Sequence, residues 1–330
     1  MTLGAYCRWK HFAVITISPK LVHASDYMVA AILLSSISLQ NMEPQPRTVE
    51  ATSLLGKPLQ RISFSQERQR ELEDQLVRAI GEHEAKPDDV DAYVWVGRRI
   101  AYLGRYRDAI DWFTKGLEKF GPNAKLLRHR GHRYISVREF AKAVSDFEKA
   151  AALIAGTEDE IEPDGVPNSR NVPISSLHSN IWYHLALSHY LIGDFDKALV
   201  ACEKGMHVSN NPDRLVSQTY WKYLILRRLG KHDEAQKALI PIRADLDVIE
   251  NQAYLRLLLV YKGEINAKEA VSKSNSGMDE PTTGYGLGVF ALIKGDREQA
   301  KAIFEKVIAG PNWPAFGYIG AEAELNRMVW

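Results

Sequence analysis

The stretch YLGRYRDAIDWF (residues 102–113) returns along the chain in altered form, as LIGDFDKALVAC at 191–202, RLGKHDEAQKAL at 228–239 and IKGDREQAKAIF at 293–304. Each time a glycine is followed five residues later by an alanine: Gly104 and Ala109, Gly193 and Ala198, Gly230 and Ala235, Gly295 and Ala300. SVREFAKAVSDF (136–147) puts Arg138 in the glycine's place and Ala143 in the alanine's. YKGEINAKEAV (261–271) keeps Gly263, has Lys268 where the alanine is expected, and places Ala270 two positions on. Gly104 to Arg138 spans 34 residues, Gly193 to Gly230 spans 37, Gly230 to Gly263 spans 33 and Gly263 to Gly295 spans 32. Arg138 to Gly193 is 55, one period plus a 21-residue insertion. A period near 34 marks stacked helix–turn–helix units.

The physical logic is local. The glycine ends the first helix of each unit, because a left-handed backbone is cheap only for glycine. The small residues at 97, 131 and 186 on the first helix and at 109, 143, 198, 235 and 300 on the second let the two helices approach closely. Phe113, Phe147, Cys202 and Phe304 then fill the space towards the next unit. One unit cannot bury its own apolar face, so the units must stack.

The pattern W-x2-L-G-x2-Y, then A-x3-F, then P is matched in the first unit by Tyr93, Val96, Gly97, Ile100, Ala109 and Phe113, with Pro122 at the close. The second offers Leu127, Gly131, Tyr134, Ala143, Phe147 and Ala150; the third Trp182, Leu185, Ala186, Ala198 and Cys202, with Pro212. The fourth keeps Gly230, Ala235 and Leu239, the fifth is degenerate, and the sixth keeps Gly288, Gly295, Ala300 and Phe304, with Pro311 and Pro314 after it. On these residues the chain resembles a tetratricopeptide repeat (TPR) protein over about residues 88–314. The resemblance implies an all-α, right-handed superhelix with repeats near 90–123, 124–157, 179–212, 216–249, 250–280 and 281–314. A helix over 65–83, with Leu72, Leu76 and Ile80 at helical spacing, caps one end, and a helix over 315–328 caps the other.

Residues 1–60 differ in composition and are predicted to be a poorly ordered leader outside the solenoid of 61–330. FAVITIS (12–18) and MVAAILLSSISL (28–39) are apolar, and NMEPQPRTVEATS after them is polar. The second run has the length of a signal-peptide apolar region and is short for a membrane span. Residues 1–40 acting as a signal would make the protein exported or periplasmic; otherwise it is cytoplasmic, and its membrane contact would be confined to 12–39. Asp26 directly before the apolar run, and the absence of a following lipobox cysteine, leave that choice open. Removing 1–60 is expected to leave a folded helical domain.

The rest of the composition narrows function. The chain has 330 residues, 45% apolar and 25% charged, with a formal charge of +1. That balance argues against a general nucleic-acid binder, which carries a basic excess. Cys7 and Cys202 are the only cysteines and form neither a disulfide framework nor a zinc spacing; Cys202 reads as a core thiol.

In TPR proteins, positions 2, 5, 6, 9 and 12 of the first helix face the groove. The resemblance therefore implies a groove lined by Trp95 and Arg98, then Lys125, Arg128, His129 and His132, then Asn180, Tyr183 and His184, then Tyr220, Trp221 and Arg227. This wall is basic and aromatic in a nearly neutral protein. It suits a protein or peptide partner bearing acidic side chains or a C-terminal carboxylate, held by charge-assisted hydrogen bonds. The family's chaperone-binding clamp of Lys, Asn, Asn, Lys and Arg is not present in order. Charge reversal at Arg128 is expected to weaken binding at little cost in stability, and binding is expected to weaken above pH 7 as His129 and His132 lose charge. The competing view is that these cations solvate a helix or pair within the protein. The insertion GTEDEIEPDGVPNSRNVPISSLHS (156–179) is placed to fold over the groove mouth, bringing Glu158, Asp159, Glu160, Glu162 and Asp164 towards Arg128 and Arg133.

His129, His132, His178, His184 and His189 cluster in the middle repeats, but no HExxH, GxSxG, P-loop or GxGxxG spacing accompanies them. GYGLGVFALIKG (284–295) reads as helix packing. The sequence thus points to a non-enzymatic scaffold needing no cofactor and no metal. Two alternatives stand: a metal- or His-dependent enzyme in the groove, and a structural assembly factor working through the convex face or the leader.

Overall fold

The computed structural model describes residues 48–272 and 279–328. Of the leader expected over 1–60, residues 1–47 lie outside the described residues. The remainder is an all-α solenoid with one small β-hairpin at its start, so the expected fold class holds.

Chain order is β1 (Val49–Thr52), β2 (Pro58–Gln60), α1 (Gln66–Ala85), α2 (Val90–Tyr102), α3 (Tyr106–Phe120), α4 (Ala124–Ser136), α5 (Phe140–Leu153), α6 (Leu177–Ile192), α7 (Phe195–His207), α8 (Pro212–Arg228), α9 (His232–Ala238), α10 (Gln252–Lys262), α11 (Ala267–Ser272), α12 (Asp279–Ile293), α13 (Arg297–Ile308) and α14 (Phe316–Met328). Helices α2 to α13 form six hairpins. Each first helix packs on its own second helix and on the first helix of the next hairpin. Side chains that accept orphan backbone N–H groups start many of the helices: Ser65, Asp89, Asn123, Ser176, Asp194, Asn211 and Asp296. Pro212 sits in the first turn of α8, where its missing N–H costs nothing. No helix among the described residues is long and apolar enough to cross a membrane.

The glycine ruler is a backbone fact. Gly104, Gly193, Gly230, Gly263 and Gly295 all have positive φ, between 71° and 90°. Arg138, in the same place, also has φ 66°. In every hairpin the alanine's amide donates to the residue that opens the second helix: Ala109 to Arg105, Ala143 to Glu139, Ala198 to Asp194, Ala235 to Lys231, Ala270 to Asn266 and Ala300 to Asp296. The fifth hairpin obeys the rule too, because its turn is two residues longer; Asn266 rather than Glu264 opens the helix and accepts from Glu269. All six alanines are fully buried. A Cβ on Gly97 would stand 2.4 Å from the Phe113 ring, and one on Gly288 2.3 Å from Phe304. Enlarging such a position forces the helices apart. Ala109→Leu or Ala198→Leu is expected to cost about 1–3 kcal/mol, read as a lower urea midpoint; unchanged midpoints for both would contradict this packing.

Residues 48–60 correct the leader boundary. β1 and β2 pair antiparallel, and Ala51 and Leu59 are buried in the same core as Tyr93, Tyr106 and Phe113. Glu50 is fully buried; its carboxylate pairs with Arg61 at 2.9 Å and accepts from the Arg107 amide at 3.0 Å, and its carbonyl accepts from Arg107 Nε at 2.8 Å. Burying that carboxylate is tolerable only because each oxygen has a partner.

The other end folds back. Trp313 packs its ring against Tyr106 and donates Nε1–H to the Gln60 carbonyl at 2.9 Å. From there α14 crosses the hairpin turns. Glu322 takes Arg138 at 2.9 Å, Glu324 holds Arg228 and accepts from the Tyr190 hydroxyl, and Arg327 donates to the carbonyls of Tyr190 and Leu191. The expected capping helix is therefore present, but it ties the first four hairpins to the last.

Candidate interaction site

The inner wall is built from α2, α4, α6 and α8. Its N-terminal edge is covered by the insertion, which runs as a strap between α5 and α6. The strap doubles back through an isolated bridge between Ile161 and Ser176. Glu160 pairs with Lys125 at 3.0 Å, and Glu162 pairs with Arg128 at 2.8 Å. Asn180 Nδ2 also donates to Glu162, at 2.9 Å. Asp159 accepts from the His178 amide in the first turn of α6. Arg98 donates to the Pro163 carbonyl at 2.8 Å and Arg99 to that of Gly165 at 3.0 Å. Gly165 rests so closely on the Tyr102 hydroxyl that any Cβ would collide with it. Further on, Arg170 pairs with Asp247 and Asn168 donates to Glu250.

Beneath the strap is a cavity of about 100 Å³ lined by Arg98, Tyr102, Phe113, Arg128, His129, His132, Arg133 and Glu162, with Ala101 at its wall. Arg98 and Arg128 are more than nine-tenths buried. Arg128 Nη1 donates to His129 Nδ1 at 3.0 Å, which leaves the His129 proton on Nε2, facing Glu162 at 3.7 Å. The buried Arg128 Nε has no hydrogen-bond partner. Arg133 lies over the Tyr106 ring and has no ion-pair partner among the described residues. Burial lowers its guanidinium pKa to about 10, so it remains charged at pH 7.

The histidines are aromatic packing. His132 and His184 lie 4.6 Å apart between ring centroids and share Phe316, reaching in from α14; His129 stacks on Phe113. His184 Nδ1–H donates to the Asn180 carbonyl at 2.6 Å. Burial pushes all three well below the ordinary histidine pKa, and the neighbouring arginines add to it. They are neutral at pH 7. The loss of histidine charge above pH 7, expected from the sequence, therefore has no source here. His178 and His189 lie elsewhere, His178 on Thr157 and His189 near Glu148 and Asp194. Among the described residues no group of three His, Cys, Asp or Glu side chains is arranged to hold a metal.

The other groove candidates separate. Trp95 is half-buried beneath the guanidiniums of Arg98 and Arg99, at 4.0 and 4.9 Å. Lys125 is a rim residue shared by Asp91 and Glu160. Asn180 and Tyr183 are buried, Asn180 against the strap and Tyr183 under the Trp221 Nε1–H donor at 2.9 Å. Tyr220 and Trp221 are no open aromatic wall: they are core residues, packed with Tyr190, Tyr254, Tyr261 and Tyr285. Arg227 sits beside Tyr223 in the last turn of α8 and does not line the cavity. Arg128 is likewise not on an exposed face, so charge reversal there would place two carboxylates together and unfold the site. Arg133 and Phe316 were absent from the sequence-derived groove. The first falls one register position away from it, and the second comes from a helix about 180 residues downstream.

Six hairpins with positive-φ turns, buried alanines four residues into each second helix, and a period near 34 residues are now in place. Together they make an all-α solenoid of TPR-like hairpins. A curated relative, tetratricopeptide repeat protein 13 of Homo sapiens, is 27% identical over 115 residues, 34% of this chain. This chain spans about 12% of that protein's length. Among solved structures, YrrB, described as a TPR protein with an unusual peptide-binding site, is 18% identical with a TM-score of 0.41, covering 70% of this chain and 91% of YrrB. A TPR protein from Parabacteroides merdae is 16% identical with a TM-score of 0.46, covering 78% of this chain and 96% of the other. No family model matches. The inner wall is covered by the chain's own strap and by Phe316 of α14.

Proposed function

We propose that this TPR protein is a non-enzymatic interaction scaffold that receives an acidic segment of a protein or peptide partner at the arginine-lined cavity. The supporting observation is the strap. The chain's own acidic segment, held there by Glu160 and Glu162 on Lys125 and Arg128 and by two backbone carbonyls on Arg98 and Arg99, is an intramolecular instance of such binding. Arginine suits this task because its planar fork keeps its charge and pairs carboxylates in two-point contacts. YrrB is described as peptide-binding, which bears on a peptide partner in general and not on its charge.

The test is a glutamate-rich peptide titrated into the full chain by fluorescence anisotropy. Binding is expected to weaken as salt rises from 50 to 500 mM, since the contacts are ionic. It should fall at least tenfold in Arg133→Gln, and rise in Glu162→Gln, whose strap competes less well. Because the three histidines carry folded-state pKa values below 6.5, they stay neutral from pH 6.5 to 8, and binding should be flat across that range. Lys301→Glu on α13, where Lys301 is exposed, is the control. Equal binding by the wild type and Arg133→Gln would move the interaction to the convex face or to residues outside the cavity.

A further inference from the structure

The cavity wall is not electrically balanced. Arg98, Arg128 and Arg133 supply three guanidinium charges, and Glu162 is the one carboxylate among the lining residues, so a surplus of two remains. The strap's Asp159 and Asp164 and the buried Arg214 stand nearby without lining the cavity. Uncompensated buried charge is costly in a low-dielectric interior unless a counter-charge is present.

Two further features point to a ligand. Arg128, more than nine-tenths buried, leaves its Nε without a hydrogen-bond partner. Arg133 and Tyr102 line the same space, and Arg133 has no ion-pair partner among the described residues. Arg133 and His132 are partly exposed, so solvent reaches the cavity. Its volume of about 100 Å³ is enough for several waters. That is room for one tetrahedral oxyanion beside Glu162.

We infer that the cavity is a phosphate-group site, with Arg133, Arg98 and Arg128 as its ligands. A phosphate monoester carries about −1.5 to −2 charges at neutral pH and three acceptor oxygens, which matches the net positive lining in sign. Guanidinium forks bind such oxygens in pairs. The phosphate belongs either to a phosphorylated side chain or to the free ion, and the ligand chemistry is the same. The inference rests on the cavity being the contact point for an acidic partner, and it narrows what that partner carries.

The experiment titrates inorganic phosphate, phosphoserine and glutamate separately into the full chain by calorimetry, at fixed ionic strength. Phosphate and phosphoserine should each bind at least tenfold more tightly than glutamate. Arg133→Gln and Arg98→Gln should each weaken phosphate at least tenfold while keeping the wild-type circular dichroism spectrum. Tighter binding of phosphoserine than of phosphate assigns the site to phosphorylated side chains, and the reverse order assigns it to the free ion; both support the inference. Glutamate binding as tightly as phosphate would overturn it and leave the acidic-segment reading standing. Phosphate binding unchanged in both arginine variants, or none in the wild type, would also overturn it; if the glutamate-rich peptide is then also held equally by Arg133→Gln, the acidic-segment reading falls as well.

Discussion

Arg138→Ala should destabilise the protein by about 3–5 kcal/mol, the range found when one partner of a buried ion pair is removed and the other stays buried. Arg138 and Glu322 are both almost wholly buried and meet at 2.9 Å. The same guanidinium donates to the carbonyls of Ser136 and Trp313, so it joins the turn of the second hairpin to the C-terminal helix. Arg138→Gly separates the two duties of this residue. A left-handed backbone costs a non-glycine residue about 1–2 kcal/mol, and glycine removes that cost while still losing the clamp. The expected order of urea midpoints is wild type, then Arg138→Gly, then Arg138→Ala. Adding Glu322→Gln to Arg138→Gly should recover part of the loss, because a neutral amide is cheaper to leave buried. A midpoint for Arg138→Ala equal to that of the wild type would show that the clamp contributes nothing.

A chain beginning at residue 61 should be less stable than one beginning at residue 48 by about 5 kcal/mol. Burial of Leu59 accounts for about 2 kcal/mol. The hydrogen bonds that Glu50 and Gln60 accept from Arg107 and Trp313 add about 1 kcal/mol each. For a domain of this size the difference corresponds to roughly 10 °C in Tm. Removing 1–60 is still expected to leave a folded helical domain, but one of lower stability. Identical melting of the two chains would mean that the hairpin is only laid on the surface.

The repeat was readable because its two key positions tolerate few alternatives. Positive φ selects glycine, and the zero-clearance contact selects alanine. Where the chain departs from the rule, the reason is structural. Arg138 accepts backbone strain to place a guanidinium in the core, and the fifth hairpin keeps its alanine once its longer turn is counted. The hairpin at 48–60 was not readable, since strands of four and three residues carry too little alternation and Glu50 argues against burial. The inner wall was half readable. Register placed Arg98, Arg128, His129 and His132 near one another, and the acidic run at 158–164 was expected to reach them, as Glu162 does. What register cannot supply is the covering: nothing local to Tyr220, Trp221 or His184 announces that their neighbours include Tyr285 or Phe316 from the far end of the chain.

That return of the C-terminal helix changes how the molecule comes apart. An open repeat array is held by nearest-neighbour interfaces, so its ends fray independently and its unfolding is gradual. Here Gln60 bonds to Trp313 and Arg138 to Glu322. The last repeat cannot detach without opening the first two, which ties the array into a single cooperative unit. Such contacts between distant parts of the sequence must also form late, after the loop-closure entropy of nearly the whole chain has been met, so the array folds more slowly than its local helices suggest.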